Sequence, residues 1–300
     1  MSDKIAFMGT PSISAQILKS LYQNGFNVEV VYTQPPVASN RGHKVNKSPV
    51  HIMAEILNIP VRTPIQFNSS EEKNFLQNRN IDLGVVVAYG QILKKDFLSI
   101  PKYGWINIHY SLLPKLRGAA PIQRAIMNNY ASTGISIMKI DSGLDSGPIC
   151  NQYPIKILKN ENSEELSQRL SNLASDKILE NIDKIFEEKI IFKNQNNAQA
   201  TYAKKIRKEE GKINWKESNT EIIGKINGLY PNPGAWFEYN GERYKIIRAE
   251  LSFANGKAGH VLSNNLEIGC GKNSIKINEI QRQGKKIQKT KEFLLGSKIV

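Results

Sequence analysis

The sequence predicts an α/β chain, with a mostly parallel, Rossmann-like sheet followed by a small β-barrel. Three observations point there. The chain opens strand–helix–strand, over Lys4–Met8, Ser12 to about Asn24, and Asn27–Thr33, a βαβ unit that demands parallel pairing. Leu83-Gly84-Val85-Val86-Val87-Ala88 is apolar without alternation, as a strand covered on both faces must be. Past Lys204 the segments shorten to strand length between turns, and Asn240-Gly241 separates two of them as a hairpin turn would.

Each element has its own local signal. Gly9-Thr10-Pro11 turns the chain out of the first strand, and Ser12 is positioned to cap the helix that follows. Gln34 to Ser48 is a long polar loop carrying Arg41, His43, Lys44 and Lys47, and loops of that length inside a domain are usually functional or disordered. Ser48-Pro49 starts a helix to about Leu57, with proline where a missing N–H costs nothing. Pro60–Thr63 reads as a short strand, and Ser69 with Glu71 and Glu72 opens another helix. A helix near Ile92–Leu98 leads to a strand starting at Trp105, and a further helix begins near Pro121. Thr133–Ile140 and Gln152–Ile157 read as strands flanking a turn-rich loop, Asp141 to Pro148. Ser163-Glu164-Glu165 caps a long helix carrying Leu166, Leu170, Leu173, Ile178, Ile182, Ile185 and Phe186 on one stripe. The pattern lapses around the Asn/Gln-rich run Asn194–Asn197. The expected division is a first domain over residues 1–189, a linker over 190–205 and a barrel domain over 206–300.

Composition narrows the class. The chain has 40% hydrophobic and 23% charged residues, ordinary for a globular protein. No apolar run approaches the roughly 18 residues of a membrane span, and Ser2-Asp3-Lys4 leads straight into a strand, so a cytoplasmic location is expected. Cys150 and Cys270 lie far apart with no metal-ligand spacing. The net charge is +14, and residues 201–300 hold 19 Lys+Arg against 10 Asp+Glu, so the last third is the most basic part. A basic surface favours a polyanion such as a nucleic acid, and a basic small barrel suits an oligonucleotide. An AT-rich coding sequence, visible in the abundance of Asn, Lys and Ile, would produce the same excess, so charge alone decides nothing.

The chemistry centres on Trp105-Ile106-Asn107-Ile108-His109 and the segment Tyr110 to Pro121 after it. Asn107 and His109 are two apart on a strand, so both side chains leave one face near its carboxyl end, where ligands of α/β sheets bind. A lone histidine there is as readily a packing residue as a functional one. Asp141 and Asp145 in the following loop are equally eligible as its carboxylate partner. An Asn, a His and one acid make no common metal site, and no Gly-x-Ser-x-Gly elbow supplies a nucleophile. The first turn also lacks the G-x-G-x-x-G glycines of a dinucleotide site, which argues against a nicotinamide or flavin. Direct transfer between two bound substrates remains. An Asn amide can hold a developing oxyanion and a His can move the proton.

Two motifs give this constellation a family. Asn107-x-His109-x-Ser111-Leu112-Leu113-Pro114, followed by Arg117-Gly118-Ala119-Ala120-Pro121-Ile122, resembles the signature of the folate-dependent formyltransferases. Asp141-x-Gly143-Leu144-Asp145-x-Gly147 is similar to their second signature, and the likeness runs over nearly the whole chain, thinning after about Gly241. The resemblance implies 10-formyltetrahydrofolate as formyl donor and the α-amino group of methionine on initiator tRNA as acceptor. It implies a catalytic role for Asn107, His109 and Asp145, and folate contact for Ser111, Leu112, Leu113 and Pro114. Arg41, Lys44 and Lys47 would touch the tRNA end, the barrel would be of the OB-like type, and the enzyme would be a monomer needing no metal and no membrane. A nucleotide amino-sugar or glycinamide ribonucleotide is the alternative acceptor, and an RNA-binding protein with a relic site the non-enzymatic one. Tyr110 stands where small residues occur in relatives, which places a bulky ring near the expected folate rim.

Overall fold

A computed structural model of the chain describes residues 3–38, 45–296 and Ile299. The described chain divides into two compact units that do not follow chain order. One holds Met1–Arg117, Gly134–Pro154 and Gln168–Tyr202, and the other Gly118–Thr133, Ile155–Ser167 and Ala203–Val300.

The opening unit forms as the sequence requires. Strand β1 (Lys4–Gly9) leads through helix α1 (Ser12–Gln23) to β2 (Asn27–Tyr32), which pairs parallel to β1. Ser12 is not the cap of α1. Pro11 occupies that position, and its carbonyl accepts the N–H groups of Ser14 and Ala15 at 3.0 and 3.1 Å. A two-stranded ribbon, β3 (Val37–Ala38) with β4 (Val45–Asn46), sits within the polar loop. Helix α2 (Pro49–Ile56) is capped by the Ser48 hydroxyl, and β5 (Val61–Arg62) pairs parallel to β2. Helix α3 (Ser70–Arg79) is capped by Ser69, and β6 (Leu83–Val87) then enters beside β1, buried at every residue. The helix expected near Ile92–Leu98 is only the turn α4 (Lys95–Leu98), followed by β7 (Trp105–His109), parallel to β6.

Beyond β7 the sheet changes direction. Helix α5 (Pro121–Met127) returns the chain to β8 (Ser132–Lys139), which runs antiparallel to β7, with β9 (Ile149–Lys156) next in the sheet. The order is β5-β2-β1-β6-β7-β8-β9, so the chain switches sides between β1 and β6, and their carboxyl ends open toward the edge where β7 also ends. The long helix α6 (Ser163–Phe186) is capped by Asn162 rather than Ser163: the Asn162 side chain accepts the Glu165 N–H at 2.9 Å, and the Glu165 carboxylate accepts the Asn162 N–H at 3.0 Å.

One face of this sheet is a core of Ala6, Met8, Val30, Tyr32, Val86 and Trp105, sealed by Phe67, Leu76 and Phe97. Trp105 fixes the register of β7 against β6. Its indole N–H donates to the Phe97 carbonyl at 2.7 Å, and its ring fills the space over Gly84. A Cβ at residue 84 would lie 1.9 Å from that ring, and the pinned indole cannot retreat. Gly84→Ala is therefore expected to destabilise the fold by about 1–3 kcal/mol, read as a shift in the denaturant midpoint. An unchanged midpoint would mean that the Trp105 ring is free to move.

In the second unit, the segment after Lys204 is not strands alone. Helix α7 (Asn219–Leu229) is capped by a box in which the Ser218 hydroxyl accepts the Glu221 N–H and the Glu221 carboxylate accepts the Ser218 N–H. Gly224 and Gly228, four apart on one face, let α5 approach closely; a Cβ at 228 would meet the Met127 side chain at 2.5 Å. The antiparallel sheet comprises β10 (Ala235–Tyr239), β11 (Glu242–Ser252), β12 (Val261–Ser263), β13 (Glu267–Gly269), β14 (Ser274–Arg282) and β15 (Gln288–Lys289). Helix α8 (Thr290–Gly296) follows. Asn240 and Gly241 both adopt positive φ, the turn their pair predicts. The sheet is consistent with a small barrel, and Ile246, Ile268, Ile275, Ile277 and Phe293 fill its core. No helix among the described residues is long and apolar enough to cross a membrane.

Candidate active site

The face of β7 that begins with Trp105 turns polar as it reaches the sheet edge. Asn107 and His109 follow at every second residue, paired across β8 with Met138 and Ser136. His109 is buried, and its Nε2 lies 2.9 Å from the Leu116 carbonyl oxygen. A carbonyl only accepts, so Nε2 carries the hydrogen and Nδ1 is the nitrogen left to exchange a proton. Nδ1 lies 3.6 Å from a carboxylate oxygen of Asp145. Burial holds the His109 imidazole below its usual ionisation range, while the Asp145 charge and the Leu116 carbonyl act in the opposite direction. The Asn107 side chain is half-buried and makes no hydrogen bond with another described residue.

The two acids of the second motif separate cleanly. Asp141 is occupied within its own loop, accepting the Gly143 N–H at 2.9 Å and the Ser146 hydroxyl at 3.0 Å. Asp145 is turned toward His109 by a left-handed backbone, φ 49°, which asparagine and aspartate tolerate better than other residues with a side chain. Gly147 completes the turn: a Cβ there would lie 1.9 Å from the Lys139 carbonyl oxygen, so no side chain fits.

The other predicted residues fall in different settings. Ser111 and Leu113 are buried, and their polar groups are already bonded: Ser111 Oγ donates to the Lys115 carbonyl at 2.6 Å, and the Leu113 N–H donates to Ser136 Oγ at 3.0 Å. Leu112 and Pro114 are half-buried and keep some surface. Tyr110 is buried inside the fold rather than standing on a rim, and its hydroxyl has no hydrogen-bond partner among the described residues. Lys47 pairs with Glu55 at the surface, while Arg41 and Lys44 lie outside the described residues. Cys270 is buried and Cys150 only partly; burial pushes both thiols up to about 11, so neither is a ready nucleophile.

Several residues that hold this site carry no motif signal of their own. Ser136 Oγ donates to the Ser111 carbonyl at 2.7 Å, and Gln152 Nε2 donates to the Leu113 carbonyl at 2.8 Å, fastening the segment after His109 to β8 and β9. Gln195, inside the Asn/Gln-rich run, donates to the carbonyls of Asp145 and Gly147, both at 2.8 Å. Its neighbours in sequence are also amides, so nothing local distinguishes it.

The family pattern described as "Formyl transferase" matches residues 3–182, and that described as "Formyl transferase, C-terminal domain" matches residues 205–298. The chain belongs to the formyl transferase family. Among its relatives, a protein of Pelagibacter ubique (strain HTCC1062) named methionyl-tRNA formyltransferase is 56% identical over all of this formyl transferase and 97% of its own length. The fold is shared with an N-formyltransferase from Helicobacter canadensis solved with folinic acid and dTDP-3-aminofucose (TM-score 0.69, 23% identity, 94% of this chain and 100% of that one). It is also shared with a methionyl-tRNA formyltransferase from Clostridium thermocellum (TM-score 0.59, 18% identity, 84% and 94%).

Proposed function

We propose that this formyl transferase moves the formyl group of 10-formyltetrahydrofolate to the α-amino group of methionine on initiator tRNA, acting in the cytoplasm as a monomer. What carries the reading is the approach of Asp145 to His109 beside the Asn107 amide, which bonds no other described residue, in a chain so similar to a named methionyl-tRNA formyltransferase over its full length.

An α-amino group has a pKa of about 7.7–8.0, so much of it is already a free nucleophile near neutral pH. The protein's task is then positioning and charge stabilisation. The folate supplies the formyl carbonyl. Asn107 donates an amide N–H to the carbonyl oxygen as charge develops there. The amine attacks the formyl carbon, and the bond from that carbon to the folate nitrogen breaks as the new C–N bond is completed. His109, with Nε2–H held by Leu116, takes the amine's proton at Nδ1 and returns it to that folate nitrogen so that tetrahydrofolate leaves, while Asp145 stabilises the intervening imidazolium that burial opposes. In the segment Ser111 to Pro114, Leu112 and Pro114 supply side-chain surface to the folate, because Ser111 and Leu113 are buried with their polar groups satisfied. Arg41, Lys44 and Lys47 meet phosphates of the tRNA end. Exchanging Glu55 for a phosphate costs Lys47 little, since an exposed ion pair adds little net stability. Asn107, His109 and Asp145 put the reacting groups within residues 1–189, and tRNA holding is assigned to 206–300, with 190–205 between them.

The test is an acceptor assay with labelled 10-formyltetrahydrofolate, comparing initiator methionyl-tRNA, elongator methionyl-tRNA and a nucleotide amino-sugar. Label is expected on the initiator alone. About three neutralised phosphates would weaken tRNA use roughly tenfold or more when salt is tripled. Label on the amino-sugar alone, or tRNA transfer indifferent to salt, would refute the assignment.

A further inference from the structure

The guanidinium of Arg117 is buried, and a buried cation requires partners for its donors. Its Nε and one Nη donate to Gln195 Oε1 at 3.1 and 2.7 Å, and the same Nη reaches Asn197 Oδ1 at 2.8 Å. With its oxygen held by Arg117, the Gln195 amide has both N–H groups directed at the carbonyls of Asp145 and Gly147. Those carbonyls bracket the left-handed turn that aims the Asp145 carboxylate, a conformation that persists only where its surroundings enforce it. Six residues on, Thr201 acts on the other partner of His109. The Thr201 hydroxyl accepts the Leu116 N–H at 2.9 Å, and its carbonyl accepts the Arg117 N–H at 2.8 Å. The Leu116 carbonyl thus braced is the one that holds His109 Nε2.

We propose that Gln195, backed by Arg117, is a positioning residue that sets the approach of Asp145 to His109, so that the stretch expected to be only a linker completes the site. This rests on His109 and Asp145 being the reacting pair. The mechanism is geometric: without the two amide donors, the turn at 145–147 relaxes and the carboxylate drifts from Nδ1. A misplacement of about 1 Å in a catalytic group costs up to roughly 100-fold in rate.

The discriminating variant is Gln195→Glu. It keeps an oxygen acceptor for Arg117 but sets a carboxylate against two carbonyl oxygens where donors stood. In the full-length chain, kcat for formyl transfer is expected to fall about 10- to 100-fold, with KM for folate and tRNA nearly unchanged and the melting midpoint retained. The His109 imidazole, followed by nitrogen-15 NMR and identified by its loss in His109→Gln, should titrate at lower pH than in the wild type in Gln195→Ala, which adds no charge of its own, because the opposing Asp145 charge has moved away. If Gln195→Glu does not fold, Gln195→Ala carries both readouts. Wild-type kcat, or a rate loss confined to KM with the His109 titration unmoved, would overturn the proposal. A wild-type chain that transfers no formyl group refutes the functional reading instead, and the His109 titration still judges the brace on its own.

Discussion

Replacing Asp145 by asparagine is expected to lower kcat about 1,000-fold in a chain that stays folded, a loss within the range of a misassembled acid–base pair. The substitution spares the backbone at this position. Asparagine has the same shape and is at ease in the left-handed region that Asp145 occupies. The backbone carbonyl that Gln195 holds is untouched. What disappears is one negative charge, 3.6 Å from His109 Nδ1. In the wild type, burial lowers the His109 pKa and the Asp145 charge acts against that shift, so the variant imidazole should ionise at still lower pH. The imidazolium needed beside the developing oxyanion then becomes rarer and less stable. Turnover at saturating substrates, the melting midpoint and the nitrogen-15 titration of His109 check this together. A folded Asp145→Asn variant within about tenfold of the wild-type rate would remove Asp145 from the acid–base chemistry.

The parts of this site legible in the sequence are those carried by period and by motif. Strand spacing set Asn107 and His109 on one face, and the structure has them on the face that begins at Trp105. Spacing left Asp141 and Asp145 equal, because a loop has no period; the geometry separates them by giving Asp141 its own turn to hold. The antiparallel β8 was not legible either, since an apolar run reads the same in both directions. Helix α7 escaped because Gly224 and Gly228 depress helix propensity, and their use in close packing against α5 is a tertiary fact. The Ser218–Glu221 capping box was the local signal that could have found it. Gln195 had no such signal. Its role comes from a buried Arg117 and a left-handed turn, both distant in sequence.

Truncating Asn107 to alanine is the companion experiment, with an expected loss of about 100- to 1,000-fold in kcat, the usual effect of removing one oxyanion donor. Its stability cost should be small, within about 0.5 kcal/mol, because the amide bonds no other described residue and no buried partner is orphaned. His109→Ala lacks that virtue: it leaves a cavity and an unpaired Leu116 carbonyl, so lost rate and lost fold are mixed. Asn107→Asp should be worse than alanine, since it presents an acceptor and a negative charge where a donor is required. The double variant Asn107→Ala/Asp145→Asn sharpens the assignment. If the Asn107 amide and the Asp145-supported imidazolium stabilise charge on the same oxygen, their losses are coupled, and the double variant is less impaired than the product of the two single effects. Full multiplicativity would mean that the two residues act in separate steps, with Asn107 alone on the oxyanion and Asp145 serving the proton transfer.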